Sequence, residues 1–255
     1  MVDVIKKLSI VINSKADISN SFYNKWGIHG KDIITKLNDK GLHGGLYSKV
    51  KSIKNALKHK QHGSKVLNIG PETGVELFLL LELGLEIDVC EPDIENLRLL
   101  KLISKNYITE DGKIAYKNMN FLNVGFRMNK KKLASEQRNY LSIHQMNKTG
   151  LPTFYKISPK IEPISSLNKK YDIIFIHKVL TSLSRFCDET PTEIFIKSIK
   201  ELIPKISSDG LISWTEPMQL IDSNYQFDNL VSVAKLINYT IPDIKEKYIQ
   251  ILIYK

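Results

Sequence analysis

From Lys65 onward, short apolar runs of strand length alternate with longer segments of helical periodicity, and this alternation restricts the chain to an α/β fold. Residues 65–69, 85–90, 171–176 and 211–214 are rich in Val, Ile and Leu and read as strands. Residues 74–84, 94–107 and 192–203 separate them with helical spacing. Strands that alternate with helices form a parallel sheet covered on both faces. The chain closes on 239–241, a polar Lys245-Glu246-Lys247 break, and 248–253, which reads as an antiparallel hairpin. The predicted fold is a doubly wound, seven-stranded, mostly parallel sheet with a C-terminal antiparallel hairpin.

Residues 1–64 have a different texture and read as a helical N-terminal cap or lid. Val4, Ile5, Leu8 and Val11 recur at helical spacing; 32–37 reads as a second short helix and 46–60 as a third. The division expected is a cap over 1–64 and a sheet domain over 65–255. Residues 117–150 are basic, polar and Asn-rich, and read as an insertion in that domain. The third strand has two candidates, 115–120 and 154–158. The second is preferred because Tyr171 follows it at ordinary spacing.

Charge bears on partners rather than on fold. The net charge is +10, and two basic segments, 1–64 and 117–148, flank an acidic one. Such a field suits an anionic acceptor, nucleic acid or acidic protein. Only four of the 37 basic residues are Arg, the side chain best suited to bidentate phosphate and base recognition, so a plain Lys-rich composition is the preferred account of the field. Two cysteines, Cys90 and Cys187, are too few for a disulfide framework. The N-terminus has no signal-peptide core or cleavage site, and no apolar run has membrane-spanning length. A cytoplasmic protein without membrane partners is expected.

Chemistry is most legible in Val66-Leu67-Asn68-Ile69-Gly70-Pro71-Glu72-Thr73-Gly74. A strand ends, a turn bounded by two glycines follows, and a helix begins. In doubly wound sheets, ligands bind beyond the carboxyl ends of the strands. Gly70 and Gly74 let the backbone approach a ligand closely, and the helix N-terminus offers free N–H groups. Glu91, followed by Pro92, ends the next strand, where a carboxylate can accept both hydroxyls of a ribose. A dinucleotide is the rival ligand. The G-x-G-x-x-G spacing it requires is missing, and Glu72 would repel its pyrophosphate.

These residues resemble the class I S-adenosylmethionine-dependent methyltransferases. The stretch 171–180 is similar to that family's fourth strand, and 202–212 to its turn into the fifth. Two departures stand out: Asn68 occupies a position where many members carry an acid, and Glu72 one where many carry glycine. The resemblance implies S-adenosyl-L-methionine as cofactor, bound around Asn68, Gly70, Pro71, Glu72, Gly74, Glu91, Pro92, Ser158 and His177. Glu72 then supplies the acceptor for the methionine ammonium that Asn68 lacks; as an alternative, it caps the following helix.

Methyl transfer is an in-line displacement in which the enzyme mainly positions the acceptor and sometimes removes its proton. His177, at the end of the fourth strand, is the candidate base. Tyr23, Trp26 and Tyr47 in the N-terminal cap are candidates for the acceptor pocket. The chain lacks the [D/N/S]-P-P-[Y/F] motif of base-amino methylation, a cysteine pair for pyrimidine chemistry and any metal-ligand motif. Metal-independent O- or N-methylation of a small molecule is therefore the expectation. The alternatives are a protein carboxylate methyltransferase, an RNA methyltransferase, and a silent methyltransferase-like binding module.

Overall fold

The computed structural model describes residues 2–26, 32, 34–35, 45–58, 64–134, 156–158, 160–220, 233–240 and 247–255. Among the described residues, the N-terminal part contains α1 (Val2–Asn13), α2 (Ala16–Trp26) and α3 (Gly45–Leu57). Then follow β1 (Lys65–Ile69), α4 (Val75–Glu82), β2 (Glu86–Cys90), α5 (Ile94–Asn106), β3 (Met119–Leu122), β4 (Val124–Gly125) and β5 (Glu162–Pro163). The remainder is β6 (Tyr171–His177), α6 (Leu180–Phe186), α7 (Pro191–Leu202), β7 (Ile206–Pro217), β8 (Val233–Thr240) and β9 (Lys247–Tyr254).

Seven strands form one sheet in the order β3-β2-β1-β6-β7-β9-β8. The first five are parallel, whereas β9 runs antiparallel to both β7 and β8. The order reverses between β1 and β6, which opens a crevice beyond their carboxyl ends. β4 and β5 pair separately.

Each central strand is buried on both sides because its two sets of side chains enter two different cores. Val66 and Ile173 join the core formed with α1 to α5, while Leu67 and Ile174 join that formed with α6 and α7. In the second core, Trp214 lies between Phe126, stacked at 5.9 Å, and Phe195, edge-on at 4.8 Å. α7 starts where its sequence dictates: Thr190 and Glu193 close a capping box, with Pro191 in the first turn.

The third strand overturns the preferred reading. It is Met119–Leu122, which pairs with β2; of the stretch 154–158, the described residues 156–158 form no strand. Residue Ile157 makes only an isolated bridge with Asp93. An edge strand of four residues buries little, so its Met-Asn-Phe-Leu sequence carries a weak periodic signal. The segment 117–150 therefore does not interrupt the sheet from its start, and its portion from 135 onward lies outside the described residues. So does half of the helix expected at 32–37.

α2 and α6 have no counterpart in the sequence reading. The buried stripe of α2 is Ile18, Phe22 and Lys25, and a lysine at the third position hides the period. Among the described residues, no helix is long and apolar enough to cross a membrane.

Candidate functional site

A cleft opens at the switch in strand order. Its floor is the exit of β1. The Gly70 N–H donates to the Cys90 carbonyl (2.9 Å), and the Gly74 N–H donates to the Pro71 carbonyl (2.8 Å). Gly74 is the N-cap of α4 at φ +81. A Cβ on Gly74 would collide with the Leu100 side chain of α5, and one on Gly70 would meet Val179 Cγ2 at 3.0 Å. These two glycines bring α5 and the β6 exit close to the turn.

Glu91 ends β2 and lines the cleft with Pro92, Asp93 and Asn96. Its Oε1 accepts from the Asp93 N–H (3.0 Å) and its Oε2 from Asn96 Nδ2 (2.8 Å). Burial lifts its carboxyl from 4.5 to about 7. Each carboxylate oxygen keeps one lone pair for a further donor.

Asp93 organises the rim. It caps α5 by accepting from the Glu95 and Asn96 N–H groups, accepts from the Lys156 N–H, and forms a buried ion pair with Lys25 of α2. Lys25 and Trp26 thus close one side of the cleft. Apolar residues, including Phe126, Met128, Leu183 and Phe186, form the opposite end.

Glu72, at φ +51, also lines the cleft. Lys49 of α3 stands 3.8 Å from it and pairs more closely with Glu76. Burial raises the Glu76 carboxyl despite this pairing; for Lys49, the two carboxylates outweigh burial and raise the amine. Two carboxylates thus share one lysine. Beneath the turn, Asn68 is buried, and its Oδ1 has no hydrogen-bond partner among the described residues.

Beyond β6 the chain turns sharply, with Lys178 at φ +55. Lys178 and Val179 line the cleft, and Lys178 Nζ sits 4.7 Å from the Tyr248 ring centroid. Glu216 holds this turn from below: its Oε1 accepts from the Val179 and Leu180 N–H groups and from Trp214 Nε1. His177 points away from the cleft lining and bonds Ser48 Oγ of α3 (2.9 Å). The same helix face joins Ser52 to Thr215 (2.8 Å) and Asn55 to Gln250 (2.9 Å).

Of the expected site residues, Gly70, Glu72, Glu91, Pro92 and Trp26 line the cleft. Asn68, Pro71 and Gly74 shape the turn behind it, and His177 sits under α3. Ser158 does not line the cleft; its Oγ accepts from the Lys160 N–H (3.2 Å), and the neighbouring Ile157 lines the cleft instead. Tyr23 is 42% exposed and outside the lining, and the Tyr47 side chain lies outside the described residues. Lys25, Lys49, Asp93, Asn96 and Glu216 were missed. For Asp93, the Pro-Asp-x-x-Asn spacing after Glu91 was a readable helix-cap signal; the others become visible only through contacts across the fold.

No protein-family model matches the chain, and no curated protein matches it in sequence. Its fold does match solved structures. The Burkholderia thailandensis 1,6-didemethyltoxoflavin-N1-methyltransferase, solved with 1,6-didemethyltoxoflavin and S-adenosylhomocysteine, aligns over 98% of this chain and 90% of its own, at 12% identity and a TM-score of 0.50. The N-methyltransferase NodS of Bradyrhizobium japonicum, in complex with S-adenosyl-L-homocysteine, aligns over 82% of this chain and 86% of its own, at 8% identity and a TM-score of 0.49. A Pyrococcus furiosus methyltransferase aligns over 82% of each chain, at 12% identity and a TM-score of 0.48. Sheet order, terminal hairpin and the nearly full-length Burkholderia match agree: this chain has the fold of the S-adenosylmethionine-dependent methyltransferases.

Proposed function

We propose that this chain is an S-adenosyl-L-methionine-dependent methyltransferase that methylates an oxygen or nitrogen of a small molecule without a metal. The observation that carries the reading is the pairing, across adjacent strand ends, of the Gly70–Gly74 turn with the buried Glu91 carboxylate. The residues fit the cofactor. Glu91 has one lone pair on each oxygen left for a ribose diol. The unpartnered Asn68 Oδ1 and the shared Lys49 leave acceptor capacity for an ammonium group beside the turn. Bound there, the cofactor supplies an electrophilic methyl on a sulfonium.

The chain's own contribution is positioning and exclusion of water. Lys25 and Trp26 cover the cleft from α2, and α3 seals the ends of β6, β7 and β9 through Ser48, Ser52 and Asn55. Walls this close suit a small acceptor better than a folded macromolecule. Lys178 in the wall supports an anionic one. His177 lies outside this lining on Ser48, so it acts as a base only where α3 withdraws and the acceptor takes the place of Ser48.

The test is isothermal titration calorimetry with S-adenosylmethionine and S-adenosylhomocysteine, with NAD as control. Micromolar binding of the first two, abolished in Glu91→Ala, is expected. Absence of binding removes the enzyme reading and leaves a binding module.

A further inference from the structure

Asn96 stands on the first turn of α5, 1% exposed, between the two ends of the cleft. Its Nδ2 donates to the Glu72 carbonyl (2.9 Å) on the β1 turn and to Glu91 Oε2 (2.8 Å) at the end of β2. The Glu72 carbonyl can only accept, so the amide cannot be flipped without losing that bond. The helix itself has no need of this side chain: Asp93 already caps α5, and alanine is the better helix former. Glu72 has a left-handed backbone, which a non-glycine residue adopts only when its surroundings impose it.

We infer that Asn96 is a positioning residue of the cofactor cleft, whose single side-chain amide clamps the Glu72 turn to the Glu91 carboxylate. This rests on the cofactor reading above. The clamp sets the distance between the acceptor for the ribose and the turn that cradles the amino-acid end, so that one ligand engages both. It also holds Glu91 with its remaining lone pairs free for that ligand.

The test is the affinity for S-adenosylhomocysteine of the wild type, Asn96→Ala and Asn96→Asp at pH 6 and pH 8, with the folded fraction checked by circular dichroism. Loss of a bond to a charged group weakens Asn96→Ala about tenfold or more at pH 8, where Glu91 is ionised. Aspartate has the same shape, but ionised it donates nothing and stands against Glu91. At pH 8 this variant binds more weakly than the alanine variant. At pH 6 the two carboxyls share a proton, one donor returns, and affinity recovers about fivefold or more relative to the wild type at the same pH, the reverse of what a shape requirement alone gives. The wild type is the reference because Glu91 itself titrates, with Asp93, Lys25 and Cys90 around it and Glu72 beside Asn96.

Wild-type affinity in Asn96→Ala overturns the inference alone. So does an aspartate variant whose affinity ratio to the wild type does not change with pH, and this arm stands even where the alanine variant fails to fold. A wild type that binds no S-adenosylhomocysteine overturns the cofactor reading and the inference together.

Discussion

Gly74→Ala tests whether the turn under the cleft is held by backbone geometry and close packing together. Gly74 has φ +81, and an alanine in the left-handed region costs about 1–2 kcal/mol. The new Cβ would also drive into the side chain of Leu100, which is 1% exposed, so the leucine must shift within a packed core. Overpacking of this kind costs about 1–3 kcal/mol, so the total loss is about 2–5 kcal/mol. Gly84 is the internal control: its φ is +74, but nothing lies within 4 Å of its added Cβ. Gly84→Ala should therefore show the backbone cost alone, about 1–2 kcal/mol. Urea unfolding, extrapolated linearly to water, measures both. Shortening the obstacle in the double variant Gly74→Ala/Leu100→Ala should make the combined loss smaller than the two single losses added. Equal losses at Gly74 and Gly84, or strict additivity in the double variant, would refute the collision argument.

Three further outcomes are expected. Glu72→Gln should weaken S-adenosylhomocysteine but leave methylthioadenosine, which lacks the amino-acid end, unchanged; equal weakening of both would exclude Glu72 as the ammonium acceptor. Burial lifts the Glu216 carboxyl from 4.5 to about 7, so its contribution to stability is complete below pH 4.5 and is lost as pH rises towards 7. Glu216→Gln, which stays neutral and keeps an acceptor for its three donors, should flatten that decline in urea titrations at pH 5 and 8; an unchanged slope contradicts the assignment. Lys25→Met leaves Asp93 buried without its cation, and breaking such pairs costs about 3–5 kcal/mol, reduced here because three backbone N–H groups still bond Asp93. Differential scanning calorimetry should show a lower melting temperature, with Lys25→Met/Asp93→Asn recovering part of it; no recovery would mean the pair is not coupled.

What the sequence determined by itself is what depends on neighbours along the chain. The strand–turn–helix run from Val66 to Gly74, the acid at Glu91 and the closing hairpin are local patterns, written in periodicity, turn chemistry and spacing. They sufficed for the central strands, the closing hairpin and one side of the cleft. The tertiary structure alone decided the pairings between distant segments. The third strand fell to Met119–Leu122 because β2 offered its free edge there, and four residues at an edge leave little pattern to read. Lys25 lay hidden in an otherwise apolar stripe because its partner, Asp93, is 68 residues away. His177 turned under α3 because Lys178 bends left-handed and Glu216, from another strand, holds that bend. Asn96 looked like any polar residue on a helix until the fold set it between two acceptors. Buried polar groups must find partners wherever the fold supplies them, and that demand cannot be read from spacing along one chain.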